Sequence, residues 1–138
     1  MTPADKRFSK GDRLLRPAEF ARVYERRQSA AAGPLVLYAA PRSPADGPPR
    51  LGLSVSRRIG NAVVRNAWKR RLREAFRAVR GRLPAGSDMV IVVRSSPPPI
   101  GGEGADHVAG LLVELARRVV NRKSYTLENG RSTPEQGR

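Results

Sequence analysis

Residues 60–81 read GNAVVRNAWKRRLREAFRAVRG, and the fold follows from this stretch. Gly60 and Asn61 open it, and Asn61 suits a helix N-cap because its short side chain can accept an orphan backbone N–H. Gly81, with Pro84 behind it, closes it. Between them the spacing predicts a helix from about Ala62 to Arg80. At 100° per residue, Val64, Trp68, Leu72, Ala75, Phe76 and Val79 occupy an arc of roughly 120°, an apolar stripe that must face a core. Arg65, Asn66, Lys69, Arg70, Arg73, Arg77 and Arg80 occupy a second arc of roughly 140° beside it. Glu74, the one acid on the helix, falls outside the basic arc. A solvated helix face normally mixes signs, because like charges at i, i+4 destabilise a helix. Arg65-Lys69-Arg73-Arg77 is an unrelieved ladder of like charge, so its missing counter-charge is expected from a partner carrying phosphates. Arg57 and Arg58, just upstream, extend the patch.

Working outward, Leu51–Ser56 alternates as a strand, with Leu51, Leu53 and Val55 on one face and Gly52, Ser54 and Ser56 on the other. Leu35–Ala40 reads as another strand. Met89–Val93 (MVIVV) is apolar on both faces and so belongs inside the sheet. A strand, a long helix and a further strand in that order call for a crossover connection. An α+β or α/β sandwich follows, and the fold expected is a two-layer α+β sandwich of a small mixed sheet of about four strands with three helices covering one face, in the order α-β-β-β-α-β-α. The first helix begins at Pro17, a residue suited to the first helical position, carries Phe20, Val23 and Tyr24, and fades near Gln28. The last starts near Asp106 and buries Val108, Leu111, Leu112, Leu115 and Val119. Pro41–Pro49 and Ser95–Gly104 read as loops. Residues 1–15 are basic and extended. A single domain is expected over residues 1–123, with a flexible tail over 124–138.

The chain has 138 residues, 27 Lys and Arg against 12 Asp and Glu, and a formal net charge of +15. So large an excess on a small domain points to a polyanion, nucleic acid before membrane. With no cysteine, disulfides, thiol chemistry and zinc fingers are excluded. No apolar run is long enough to span a bilayer, and the first residues lack the apolar stretch of a secretion signal, so a cytoplasmic location and no membrane partner are expected.

If residues 35–40 pair with 51–56, Tyr38 shares the outer face of the sheet with Gly52, Ser54 and Ser56. Small residues beside an aromatic leave a shallow groove, and Phe20 and Tyr24, one helical turn apart, could wall it. Aromatic rings over a polar floor suit the stacking of unpaired bases. Packing of Phe20 and Tyr24 into the core is the alternative, since parity forces only Tyr38 outward.

Arg50–Arg77, RLGLSVSRRIGNAVVRNAWKRRLREAFR, resembles the signature of the bacterial ribonuclease P protein component. Its RNxxKR core stands here as Arg65-Asn66-Ala67-Trp68-Lys69-Arg70, with a further basic position at Arg73. The upstream helix with Phe20 and Tyr24, followed by LVLY ending at Tyr38, fits as well. The likeness extends over about residues 10 to 120, and GLSVS, GNAV and RNxxKR in sequence make it specific. Ala67, where many relatives carry Arg, and Trp68, in place of a common aliphatic, are departures. The resemblance implies a ribosomal protein S5 domain 2-like fold with a left-handed β-α-β crossover. It implies that Arg65, Asn66, Lys69, Arg70 and Arg73 form or adjoin the contact with the catalytic RNA subunit, and Arg57, Arg58, Asn61 and Arg77 beside them are expected to bind RNA as well. It further implies that Phe20, Tyr24 and Tyr38 line a cleft for the single-stranded 5′ leader of precursor tRNA, to whose floor strand parity adds Ser54 and Ser56. The chain would then assist endonucleolytic removal of that leader, with no obligate protein partner.

No catalytic residue is assigned to the protein. A two-metal nuclease needs clustered carboxylates, and the acids here are scattered. His107 is the only histidine, so no Ser-His-Asp set can be built. Gly101-Gly102-Glu103-Gly104 lacks the Gly-Lys-Ser/Thr of a phosphate loop. The resemblance places hydrolysis in the RNA subunit, with Mg²⁺ held mainly by RNA and substrate and no organic cofactor. A structural or ribosomal RNA-binding protein without a processing role is the main alternative. A self-sufficient endonuclease and a DNA-binding regulator are weaker ones.

Overall fold

The computed structural model describes residues 13–42, 47–95, 101–122 and 125. The elements are α1 (Pro17–Glu25), β1 (Ser29–Ala32), β2 (Leu35–Pro41), β3 (Arg50–Val55), α2 (Ala62–Val79), β4 (Ser87–Val93) and α3 (Gly101–Val120), with short 3-10 turns at Arg57–Ile59 and Arg80–Arg82. The four strands form one sheet in the order β1-β2-β4-β3. Strands β1 and β2 are an antiparallel hairpin, β2 and β4 are antiparallel, and β3 and β4 are parallel. Parallel neighbours need a long connection between them, and α2 supplies it. Gly33, at φ +55°, makes the hairpin turn in a left-handed conformation that L side chains rarely adopt.

Parity sorts the side chains. Leu35, Leu37 and Ala39 of β2, Met89, Ile91 and Val93 of β4, and Leu51 of β3 face one way. They meet Trp68, Leu72, Ala75, Phe76 and Val79 of α2 and Val108, Leu112, Leu115 and Val119 of α3, all buried. A fully buried side chain of the size of Phe76 contributes about 1.5–3 kcal/mol over an exposed one. The predicted apolar stripe of α2 is therefore the core stripe, with Val64 half-buried at its margin. Asn61 caps the helix, its Oδ1 accepting from the Val64 N–H at 3.0 Å.

The opposite face carries three cross-strand rows: Ala40–Asp88–Arg50, Tyr38–Val90–Gly52 and Val36–Val92–Ser54. Helix α1 lies across this face, so α2 and α3 alone cover the other one. The reason is the composition of the rows: buried Val23 and half-buried Phe20 and Tyr24 meet Ala40, Val90 and Val92 in a second small core, together with Leu14.

Several expectations are corrected. Residues 35–40 do not pair with 51–56, because β4 inserts between β2 and β3. The faces nonetheless stand as expected, since the period of two fixes parity whatever the neighbour. A strand at Ser29–Ala32 was not located from the sequence. Helix α1 ends at Glu25 rather than near Gln28, where Arg27 turns the chain at φ +56°. Helix α3 starts at Gly101, five residues before Asp106 and within the expected loop. Leu111 on it is half-buried rather than buried. Residues 1–12 and 43–46 lie outside the described residues, as does the expected tail save Tyr125. That residue is buried against the core, with its backbone oxygen accepting from Arg26.

Candidate nucleic-acid interface

The basic ridge is built by α2 and the turn that leads into it. Arg70 and Asn66 are exposed, Arg65, Lys69, Arg73 and Arg77 are half-buried along their stems, and Arg57, Arg58 and Asn61 are exposed at the entrance. Long basic side chains commonly lay their methylenes on apolar surface while the charge stays in water. Arg65 donates from Nε to the Gly60 carbonyl at 3.1 Å, which anchors its guanidinium at the start of the ridge. Among the described residues, none of Arg57, Arg58, Arg65, Lys69, Arg70, Arg73 and Arg77 has an ion pair with a carboxylate. The helix's acid, Glu74, pairs with Arg71 at 3.1 Å, outside the ridge. Burial and then the like charges of Arg13, Arg77 and Arg70 pull the Arg73 guanidinium below its ordinary pKa. The ridge therefore repels itself.

Arg13 is a member that pattern reading passed over. It bridges Leu51 in parallel register at the free edge of β3, and the Leu14 N–H donates to the Leu51 carbonyl at 3.0 Å. This pairing carries the incoming chain to the ridge. Only the sheet order, with β3 at an edge, brings Arg13 to Arg73, and local sequence does not encode that order.

The outer face gathers most of the expected cleft residues. The Tyr24 and Tyr38 rings meet edge to face, 4.9 Å between centroids and 88° between planes. Burial raises the Tyr24 hydroxyl above its ordinary pKa; the hydrogen-bonded Ser54 hydroxyl opposes this and Tyr38 adds to it. The Tyr24 phenol is thus neutral at physiological pH. Phe20 lies on Gly52, where a β-carbon would come within 2.7 Å of the ring. Gly52 is therefore covered by Phe20 and is not open floor. Phe20, Tyr24, Tyr38 and Ser54 all keep partial exposure. Ser56 is not brought to this group: it stands one residue past β3, exposed, at the start of the 3-10 turn.

One end of this face is ionic, which sequence reading missed. Asp88 is fully buried and binds three arginines. Arg50 donates through Nε and Nη2, both at 2.8 Å, Arg42 through Nη1 at 3.1 Å, and Arg22 of α1 through Nη2. Burial by itself would raise the carboxyl, but hydrogen bonds from Arg50 and Arg42 and the charges of Arg50 and Arg22 hold it below its ordinary value. Arg50 also reaches Glu19 at 3.4 Å.

Among the described residues no group of three or more His, Cys, Asp or Glu could hold a metal ion, and His107 is an exposed residue of α3. No helix of the described residues is long and apolar enough to cross a membrane.

A small α+β domain whose helical ridge of Arg and Lys has no carboxylate partner among the described residues, beside partly exposed aromatic rings, has the features of a nucleic-acid-binding protein. The family model described as Ribonuclease P matches residues 8–99. The ribonuclease P protein component of Brevibacillus brevis is 34% identical over 125 residues, covering 91% of this chain and 96% of its own. That of Shouchella clausii is 42% identical over 88 residues, 64% of this chain and 71% of its own. The solved structure of Staphylococcus aureus RNase P protein superposes with a TM-score of 0.59 at 29% identity, covering 85% of this chain and all of that one. The RNase P protein from Thermotoga maritima gives 0.60 at 26% identity over 76% of this chain and 96% of that one. The chain belongs to the ribonuclease P protein family.

Proposed function

We propose that this chain docks on the catalytic RNA of ribonuclease P through the α2 ridge and holds the single-stranded 5′ leader of precursor tRNA in the aromatic cleft. The observation that carries this reading is the ridge of seven cations without a carboxylate partner among the described residues. Such a ridge costs folding energy and recovers it when phosphates arrive. The cleft adds what a purely structural RNA-binding protein does not need. Tyr38, Tyr24 and Phe20 offer partly exposed rings beside the Ser54 hydroxyl, a setting for stacked, unpaired bases. Product lacks the leader, so a cleft of this kind favours substrate over product. Bond cleavage belongs to the RNA subunit in this reading. Among the described residues Asp88 is held by arginines and Glu74 by Arg71, and no group of three or more His, Cys, Asp or Glu could hold a metal ion. These carboxylates do not fit the two-metal requirement, so Mg²⁺ is assigned to RNA and substrate phosphates.

The test is affinity of the reconstituted holoenzyme for precursor and for mature tRNA. Tyr38→Ala and Phe20→Ala should weaken precursor binding about five- to a hundredfold, the worth of one stacked base, and leave mature tRNA unchanged. Equal losses for both ligands would refute the leader role. Cleavage by the purified chain without RNA would refute the assignment of chemistry.

A further inference from the structure

Asp88 is the one buried charged side chain among the described residues, and it stands in the same outer-face register as the cleft. Its three arginines come from three places in the chain. Arg50 is its cross-strand partner on β3, Arg42 follows β2, and Arg22 reaches down from α1. Arg22 also donates from Nη1 to the Pro41 carbonyl at 3.1 Å. One turn earlier on α1, Glu19 accepts from Arg50 at 3.4 Å, while its other oxygen caps the helix start by accepting from the N–H groups of Leu15 and Arg16 at 2.8 and 3.0 Å.

Helix α1 thus has two working flanks. At 100° per residue Arg22 and Glu19 fall on one side of Val23, and Phe20 and Tyr24 on the other. The apolar contacts of Val23 hold the helix on the sheet but do not fix its roll, because apolar contact has no direction. Charge-assisted hydrogen bonds do have direction. Rolling α1 away from the ionic row would lift the Tyr24 edge from Tyr38 and shift Phe20 on Gly52. We propose that Asp88 is a positioning residue which, through Arg22, sets the roll of α1 and so places the Tyr24 and Phe20 rings for the leader. This rests on the leader-cleft reading above. Asp88 touches no substrate in this account.

The test uses the holoenzyme reconstituted with its RNA subunit, and reads the ratio of precursor to mature tRNA affinity for Arg22→Gln, Arg22→Lys, Asp88→Asn and the double variant Arg22→Gln/Asp88→Asn. Arg22 is half-exposed, so its variants keep the fold even where Asp88→Asn does not. Loss of one ordered ring should lower the ratio about tenfold in Arg22→Gln. Arg22→Lys should recover part of it, and the double variant should lose no more than the worse single one. The slope of precursor affinity against salt should stay unchanged, since no phosphate contact is removed. A purely structural role would lower the melting temperature and leave the ratio alone, which overturns the proposal. A reduced salt slope in Arg22→Gln also overturns it, because Arg22 would then bind phosphate directly. Tyr38→Ala run alongside separates the two readings: if it lowers the ratio and Arg22→Gln does not, positioning alone fails. If neither lowers it, the cleft itself is wrong.

Discussion

Replacing Arg73 by Gln should make the protein more stable and a poorer RNA binder, and the two effects come from the same charge. Lys69 and Arg77 stand four residues away on either side, and Arg70 three, so Arg73 has three like-charged helical neighbours. Each such pair destabilises a helix by about 0.2–0.5 kcal/mol, and removing one centre relieves about 0.6–1.5 kcal/mol before solvent screening of the exposed heads reduces it. Arg13 adds a fourth cation from outside the helix. Gln keeps part of the half-buried stem, so little packing is lost. For a domain of this length, a gain near 1 kcal/mol should raise the melting temperature by about 2–6 °C. Binding to the RNA subunit should move the other way. One lost phosphate contact lowers the slope of log K against log salt by about 0.7–0.9, a factor of about five between 0.15 M salt and the 1 M reference. Filter binding or fluorescence anisotropy across a salt series reads the slope, and a thermal melt of the free protein reads stability. An unchanged slope would refute the ridge as a phosphate contact. A melting temperature that falls together with affinity would show that Arg73 holds the fold.

Three further outcomes follow from the same geometry. Gly52→Ala places a β-carbon 2.7 Å from Phe20 Cζ and 2.8 Å from Cε2, so the ring must shift. Overpacking of this kind costs about 1–3 kcal/mol in a denaturant melt, and precursor affinity should fall while RNA-subunit affinity is kept. Asn61→Ala removes the cap on Val64 N–H and should cost about 1 kcal/mol of stability, read as a lower melting temperature. Asp88 has a depressed pKa in the folded state, so the unfolded chain takes up its proton first as pH falls. The stability it contributes is complete above the ordinary carboxyl range and is lost on acidification through the depressed value. Denaturant melts across that range should show this loss in the native chain and a flatter profile in Asp88→Asn.

What the sequence revealed and what it hid have separate physical causes. Helix α2 was legible because two signals of period 3.6, apolar and basic, run through the same residues, and burial of Trp68, Leu72, Ala75, Phe76 and Val79 follows the first of them. Strand β4 was legible as internal because its apolar run has no polar face. Strand β1 was not, since Ser-Ala-Ala-Ala has no alternation and becomes a strand only by pairing with β2. The start of α3 was hidden because Gly101, Gly102 and Gly104 argue against a helix on propensity. Strand neighbours were hidden because parity constrains faces and not order. Asp88 was hidden for a sharper reason. Its partners lie 38, 46 and 66 residues away, and a single acid before an apolar run reads as an ordinary strand boundary.

Strand β3 joins the ridge of α2 to the aromatic face. Arg50 enters the ionic row, Gly52 lies under Phe20, and Ser54 stands beside the Tyr24 hydroxyl, all on one face by the period of two. Leu51 is locked into the core on the other face, with Leu53 and Val55 packed at its margin. The strand then runs through Ser56 into the turn bearing Arg57 and Arg58 and on to the cap of α2. No flexible linker separates the proposed stacking surface from the proposed phosphate-binding one. In the proposed complex, docking α2 on the RNA subunit therefore fixes the position of the leader relative to that RNA without a further ordering cost. An extra residue inserted between Leu51 and Ser54 would slip the register, send Ser54 toward the core and part the two surfaces. Such a chain should still bind RNA through α2 and lose its preference for precursor over mature tRNA, whereas retained preference would mean that the leader is recognised elsewhere.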